Sequence, residues 1–232
     1  MRVVNALRPR PISRWATVVV GLALLVAMVT TLTLIAVARR PDDRQIVAFM
    51  GDSYTAGSPE DDGVASRFPA VIGSDLDVDV DVVAQPGSGY IHNGVVGTPF
   101  ADEVDAISSD TDAVIIYGSR NDPFDGTAAS AIGTAALHLI HAVKQQAPQA
   151  SITVIGPSYV ETPTPTGGIE NARAIAKACD RTGVRYVDAL TWFQGAAPGT
   201  VGADGIHPTA AGHRALAMRI EPLVRRALAE RN

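Results

Sequence analysis

Polar and apolar positions divide this chain into an uninterrupted apolar run, a charged link and a body of alternating short patterns. Residues 16–38, "ATVVVGLALLVAMVTTLTLIAVA", hold 23 positions without a charge. As a helix they would extend about 35 Å, enough to cross a hydrocarbon core of roughly 30 Å. "RRPDDR", 39–44, is a short charged linker. Beyond it, Gln45–Met50 reads as a short apolar strand and Ser66–Leu76 as a helix with Pro69 in its first turn. "DLDVDVDVVA" alternates acid and apolar with period two, which predicts a strand with Leu76, Val78, Val80 and Val82 on one face. Pro99–Ser109 reads as a helix, 112–118 "DAVIIYG" as a buried strand, and Thr127–Gln146 as a long Ala-rich helix. The strand "SITVIG", 151–156, precedes a loop at "TPTPTGG", 162–168, assigned from its Pro and Gly content. A helix over Glu170–Asp180, a strand over 184–189 and a closing helix over Thr209–Arg226 complete the pattern.

Strictly alternating strands and helices predict an α/β fold: a doubly wound, parallel, five-stranded sheet between two helical layers, with right-handed crossovers. In such folds polar chemistry gathers beyond the carboxyl ends of the strands. The implied division is a basic tail over 1–15, an apolar segment over 16–38, a linker over 39–44 and one domain over 45–232.

Charge adds a direction. Residues 1–44 carry seven arginines against two aspartates, a net +5, which leaves −10 on residues 45–232. An acidic body argues against a nucleic-acid partner. The basic flank points to a membrane instead. The apolar segment is longer than the usual signal-peptide core of about 7–15 residues, which favours an uncleaved transmembrane anchor. Ala36-Val37-Ala38 leaves a cleaved signal segment as the alternative. Arg2, Arg8, Arg10 and Arg14 predict a cytoplasmic N-terminus and a body outside the cytoplasmic membrane, secreted if the signal is cut. Cys179 is the single cysteine, so no internal disulfide exists, and its helical surroundings suit a small buried thiol. The aspartates at 75, 77, 79 and 81 do not form a calcium loop, because Val80 and Pro86 stand where an EF-hand needs Gly and Glu. They read as a solvated strand face.

The ends of the predicted strands carry the chemistry. Gly51-Asp52-Ser53 follows the first, "AQPGSGY" with Gly87 and Gly89 the second, "YGSRND" with Asn121 and Asp122 the third, and "DGIHPTAAGH" lies near the C-terminus. A serine hydroxyl is a weak nucleophile until a base takes its proton. His207 is the candidate base, and Asp204, three residues earlier, can hold its second ring nitrogen. The backbone N–H groups of Ser53 and Gly87 and the side-chain amide of Asn121 are candidate oxyanion donors. No cluster has metal-ligand spacing, and the chain supplies every catalytic group, so no cofactor is expected. Asp52 reads as a structural hydrogen-bonder. Arg120 suits an anionic substrate group or an inward salt bridge. His92 reads as an exposed loop residue near Gly87 or as pocket lining, His138 and His141 as helix surface or edge, His213 as structural, and Trp192 and Phe193 as core or pocket lining.

These four blocks resemble those of the SGNH hydrolase superfamily, the GDSL esterases and lipases. Gly51-Asp52-Ser53-Tyr54 is similar to its G-D-S-[LIY] block, and Asp204-Gly205-Ile206-His207-Pro208 to D-x-x-H-P. Gly118-Ser119-Arg120-Asn121-Asp122 resembles the G-x-R-N-D variant of the third block, and Gly87 stands for the second, with Gly89 as an alternative. The resemblance covers about residues 45–226. It implies a flavodoxin-like sheet with Ser53 as nucleophile, His207 as base, Asp204 as its orienter, and Ser53, Gly87 and Asn121 as oxyanion donors. A G-x-S-x-G elbow is missing, since Thr55 stands at its second glycine. The expected activity is release of small acyl groups from esters on small molecules, glycans or lipids. A transacylase acting on sugar hydroxyls shares the same intermediate, and a non-catalytic binding domain is the alternative from another class.

Overall fold

The computed structural model describes residues 44–125 and 128–230. The apolar segment 16–38, with its flanking tail and linker through 43, lies outside the described residues. Among the described residues, no helix is long and apolar enough to cross a membrane.

Five strands form one parallel sheet: β1 (Ile46–Gly51), β2 (Asp79–Ala84), β3 (Ala113–Tyr117), β4 (Ser151–Ile155) and β5 (Arg185–Val187). Their order is β2-β1-β3-β4-β5. The chain moves outward from β1 to β2, then returns across β1 to place β3 on its other side. This reversal opens a crevice beyond the carboxyl ends of β1 and β3, where open α/β sheets bind ligands. The predicted five-stranded α/β architecture is the one observed.

Both faces of β1 and β3 are covered, so these strands are apolar without interruption. Val47, Phe49, Ala113 and Ile115 point into one core, with α2 (Phe68–Leu76) and α5 (Ala210–Ala229). Ala48, Met50, Val114 and Ile116 point into the other, with α3 (Ala129–Gln146) and α4 (Thr166–Thr182). Phe49, Phe68, Ile115, Ile116, Ile132 and Leu139 are buried almost completely. Each such side chain stabilises the fold by about 1.5–3 kcal/mol. These two cores hold the sheet rigid beneath the loops at its carboxyl edge.

Three elements depart from their expected form. The valine face is shorter than the alternation predicts, because Leu76 ends α2 and β2 starts at Asp79. β2 is an edge strand: Val78 and Val80 pack beneath α2, but Val82 is 49 % exposed, while Val83 enters the opposite core. The helix expected over Pro99–Ser109 is a 3₁₀ segment, Phe100–Ala106, with i→i−3 bonds at Asp102 and Ile107. A short connector that buries only Phe100 and Val104 suits that tighter winding. The loop expected through 168 ends earlier, since α4 starts at Thr166 and includes Gly167 and Gly168. Gly167 serves close approach: a Cβ there would overlap the carbonyl of Phe124.

The acidic run faces solvent and one cation. Arg44 bonds to Asp77 at 2.7 Å and to Asp79 at 3.4 Å. Cys179 lies in α4 as a buried thiol, and burial pushes its pKa up to about 12.

Candidate active site

The site starts with the abrupt end of β1. Gly51 is the last strand residue, and Asp52 caps the single turn α1 (Ser53–Ala56) by accepting the Tyr54 N–H at 2.9 Å. The first N–H groups of a helix have no partner within it. The Ser53 N–H, first in the turn, is therefore available at the sheet's edge, beside its own hydroxyl. Asp52 itself is 2 % exposed. Burial pushes its carboxyl up to about 7, against the opposing Tyr54 bond, and the nearby Asp122 pushes the same way.

His207 stands on the loop before α5, 154 residues further along. Its Nε2 lies 2.9 Å from Ser53 Oγ, and its Nδ1 lies 2.5 Å from Asp204 Oδ2. Asp204 Oδ1 accepts the N–H groups of Ile206 at 2.8 Å and His207 at 2.9 Å. Burial raises the Asp204 carboxyl, but the His207 side chain and these two donors outweigh it and hold its pKa at about 2. Ser53 is 7 % exposed, whereas the side chains of His207 and Asp204 are 25 % and 34 % exposed. The hydroxyl is on the floor of the crevice and the imidazole–carboxylate pair on its wall. A serine hydroxyl so placed can pass its proton to the imidazole as it attacks an electrophile.

The loops after β2 and β3 are tied into one unit. Asp122 is fully buried and accepts the N–H groups of Tyr90, Ile91 and His92 and the Ser119 hydroxyl. Asn121 Nδ2 donates to the Ser88 carbonyl at 3.0 Å. A primary amide carries two hydrogens, so this bond leaves one free of the Ser88 carbonyl. The Gly89 N–H is already committed to the His92 carbonyl at 2.9 Å, while His92 Nδ1 pairs with the Gly87 carbonyl at 2.8 Å. Of the two candidate glycines, Gly89 thus has its donor engaged within its own loop.

Other singled-out residues have structural surroundings. Arg120 makes a two-pronged salt bridge to Glu161, at 2.8 and 3.1 Å, and lies over the Tyr159 ring. That takes the salt-bridge alternative for this residue. His138 and His141 are on the exposed face of α3. His213 is fully buried in α5, with Nδ1 3.4 Å from the Phe68 N–H. Phe193 packs edge-on against Tyr54, and Trp192 lies beside Tyr117 under Arg219. Among the described residues, no group of three or more His, Cys, Asp or Glu side chains gathers as a metal site. The part played by Asp122 was not legible from the motif, which shows an aspartate but not the three N–H groups that converge on it from a loop 30 residues away.

A parallel doubly wound sheet with a serine–imidazole–carboxylate relay at its switch point defines a serine hydrolase of the SGNH type. Residues 49–215 match the model of the GDSL-like lipase/acylhydrolase family, and the chain belongs to that family. It is an esterase of this class. A GDSL lipase from Mycobacterium tuberculosis is 31 % identical over 226 residues, 91 % of this chain and 97 % of that one. The fold is similar to an active-site mutant of a family two carbohydrate esterase from Clostridium thermocellum, with TM-score 0.64 and 20 % identity, over 80 % of this chain and 64 % of that one. It is also similar to a carbohydrate acetylesterase family member from Sinorhizobium meliloti, with TM-score 0.62 and 22 % identity, over 80 % of this chain and 99 % of that one.

Proposed function

We propose that this chain is an exported, membrane-anchored ester hydrolase that works through an acyl-enzyme on Ser53. The observation that carries the reading is the relay of 2.9 Å from Ser53 Oγ to His207 Nε2 and 2.5 Å from His207 Nδ1 to Asp204 Oδ2. Ser53 Oγ attacks the ester carbonyl carbon while its proton passes to His207 Nε2. Asp204 holds the imidazole in place and stabilises its charged form. Negative charge on the former carbonyl oxygen is met by the N–H groups of Ser53 and Gly87 and by the amide of Asn121. Collapse breaks the bond to the alcohol, which leaves with the proton from His207. Water, activated by the same imidazole, then releases the acid and restores Ser53. The substrates are esters of small acyl groups on small molecules, envelope glycans or lipids. The carbohydrate esterases among the structural neighbours support the glycan members of that class. The arginines before residue 16 and the apolar segment 16–38 support a cytoplasmic N-terminus with the acidic domain outside.

The test is Ser53→Ala assayed on a small chromogenic acyl ester. Turnover should fall on the order of 10⁴-fold or more, and labelling by a serine-directed fluorophosphonate should disappear. Retained turnover in a folded Ser53→Ala protein would overturn the reading.

A further inference from the structure

His207 and Asp204 lie on a largely exposed loop, whose packing against the segment after the nucleophile includes the His207 ring beside the Tyr54 ring at 6.1 Å between centroids. Residues 203–206 are all exposed. Within itself the loop closes through Gly202 N–H to the His207 carbonyl at 2.8 Å and Gly205 N–H to the Gly202 carbonyl at 3.1 Å. These bonds shape the turn but do not place it relative to Ser53. Two bonds from the segment after the nucleophile do. The Tyr54 hydroxyl donates to the Ile206 carbonyl at 2.6 Å, directly before His207. Glu60 Oε2 accepts the Ala203 N–H at 2.9 Å, directly before Asp204. The loop has made room for that carboxylate, since a Cβ on Gly202 would overlap it.

From these contacts we infer that Tyr54 and Glu60 are positioning residues that hold the base-bearing loop on the nucleophile, one tether at each end of the Asp204–His207 turn. The inference rests on the roles proposed for Ser53 and His207. Tyr54 is suited to the task because its ring is 3 % exposed and wedged edge-on against Tyr117 and Phe193. Its hydroxyl therefore stands on a rigid base. Glu60 approaches from the loop between α1 and α2, so both tethers leave the same stretch of chain that carries Ser53. A shift of the imidazole by about 1 Å lowers turnover on the order of 10²-fold, so two bonds of ordinary strength can govern the rate.

The test compares Tyr54→Phe, Glu60→Ala and Glu60→Gln, with Ser53→Ala as reference. Tyr54→Phe removes one oxygen and keeps the ring packing. Glu60→Gln keeps an acceptor for the Ala203 N–H, whereas Glu60→Ala has none. Expected are kcat values lowered about 10-fold or more in Tyr54→Phe and Glu60→Ala, with KM nearly unchanged. Fluorophosphonate labelling should slow by the same factor, and Glu60→Gln should recover most of the rate. Melting temperatures on the same preparations separate loss of alignment from loss of fold. Turnover within twofold of the native value in folded Tyr54→Phe and Glu60→Ala overturns the inference, as does a Glu60→Gln protein as slow as Glu60→Ala. If Ser53→Ala is inactive in either case, the proposed function stands and only the tethering fails. An active Ser53→Ala protein removes both.

Discussion

The proposed mechanism gives Asn121 two duties in one side chain. One amide hydrogen bonds to Ser88 at 3.0 Å, which ties the loop after β3 to the loop that carries Gly87. The other is the donor that the proposed mechanism offers to the oxyanion. Asn121→Ala should lower kcat by about 10²–10³, or roughly 2.7–4 kcal/mol, with little change in KM. It should also cost about 1 kcal/mol of stability through the lost Ser88 bond. Steady-state kinetics and melting curves on one preparation read the two separately. A protein that loses only stability would leave Asn121 with the loop tie alone. Asp52 gives a second expectation at this scale. Its folded pKa, raised by burial from 3.8 to about 7, contributes stability that is present below pH 3.8 and is lost as pH rises through about 7. The unfolded chain releases that proton earlier, so ionisation favours unfolding across the interval. Asp52→Asn keeps an oxygen for the Tyr54 N–H and cannot ionise. The melting temperature of Asp52→Asn minus that of the native protein should therefore climb between about pH 4 and pH 8. A pH-independent difference would contradict the assignment.

At the scale of elements, α5 closes the fold and starts directly after the His207 loop. Thr209 caps it by accepting the Gly212 N–H at 3.3 Å and donates to the Gly199 carbonyl at 2.6 Å. Thr209→Ala should destabilise the protein by about 1 kcal/mol, read as a lower midpoint in denaturant with an unchanged slope. Strands β1 and β3 were legible because a doubly covered strand must be apolar throughout, and that pattern survives in a single sequence. The first turn of α4 was hidden because its glycines look like loop residues. Gly167 is there for the nearby Phe124 backbone, a neighbour more than 40 positions away in the chain. β2 was legible as a strand but not in its bounds, since its burial depends on how far α2 reaches along the sheet edge.

For the whole molecule, the charge asymmetry and the uncharged segment 16–38 set the expectation of an outward-facing domain. A reporter that works only outside the cytoplasm, fused after Asn232, should be active. A fusion active only in the cytoplasm would refute this orientation. The N-terminus of the mature chain separates anchor from signal, because cleavage after Ala38 would leave Arg39 first.

By itself the sequence determined the order of the elements, the parallel sheet and the four blocks to which the proposed chemistry is assigned. Those properties are carried by local periodicity and by residues a few positions apart, as Asp204 and His207 are. The tertiary structure alone decided how the blocks engage one another. It brought Ser53 to His207 across 154 residues, committed the Gly89 N–H to His92, gave Arg120 to Glu161 and placed Tyr54 and Glu60 on the His207 loop. Each of those contacts except the one within the 89–92 turn joins segments that lie far apart in the chain. Which segments meet follows from strand order and helix packing, a property of the assembled cores and of no single stretch of chain.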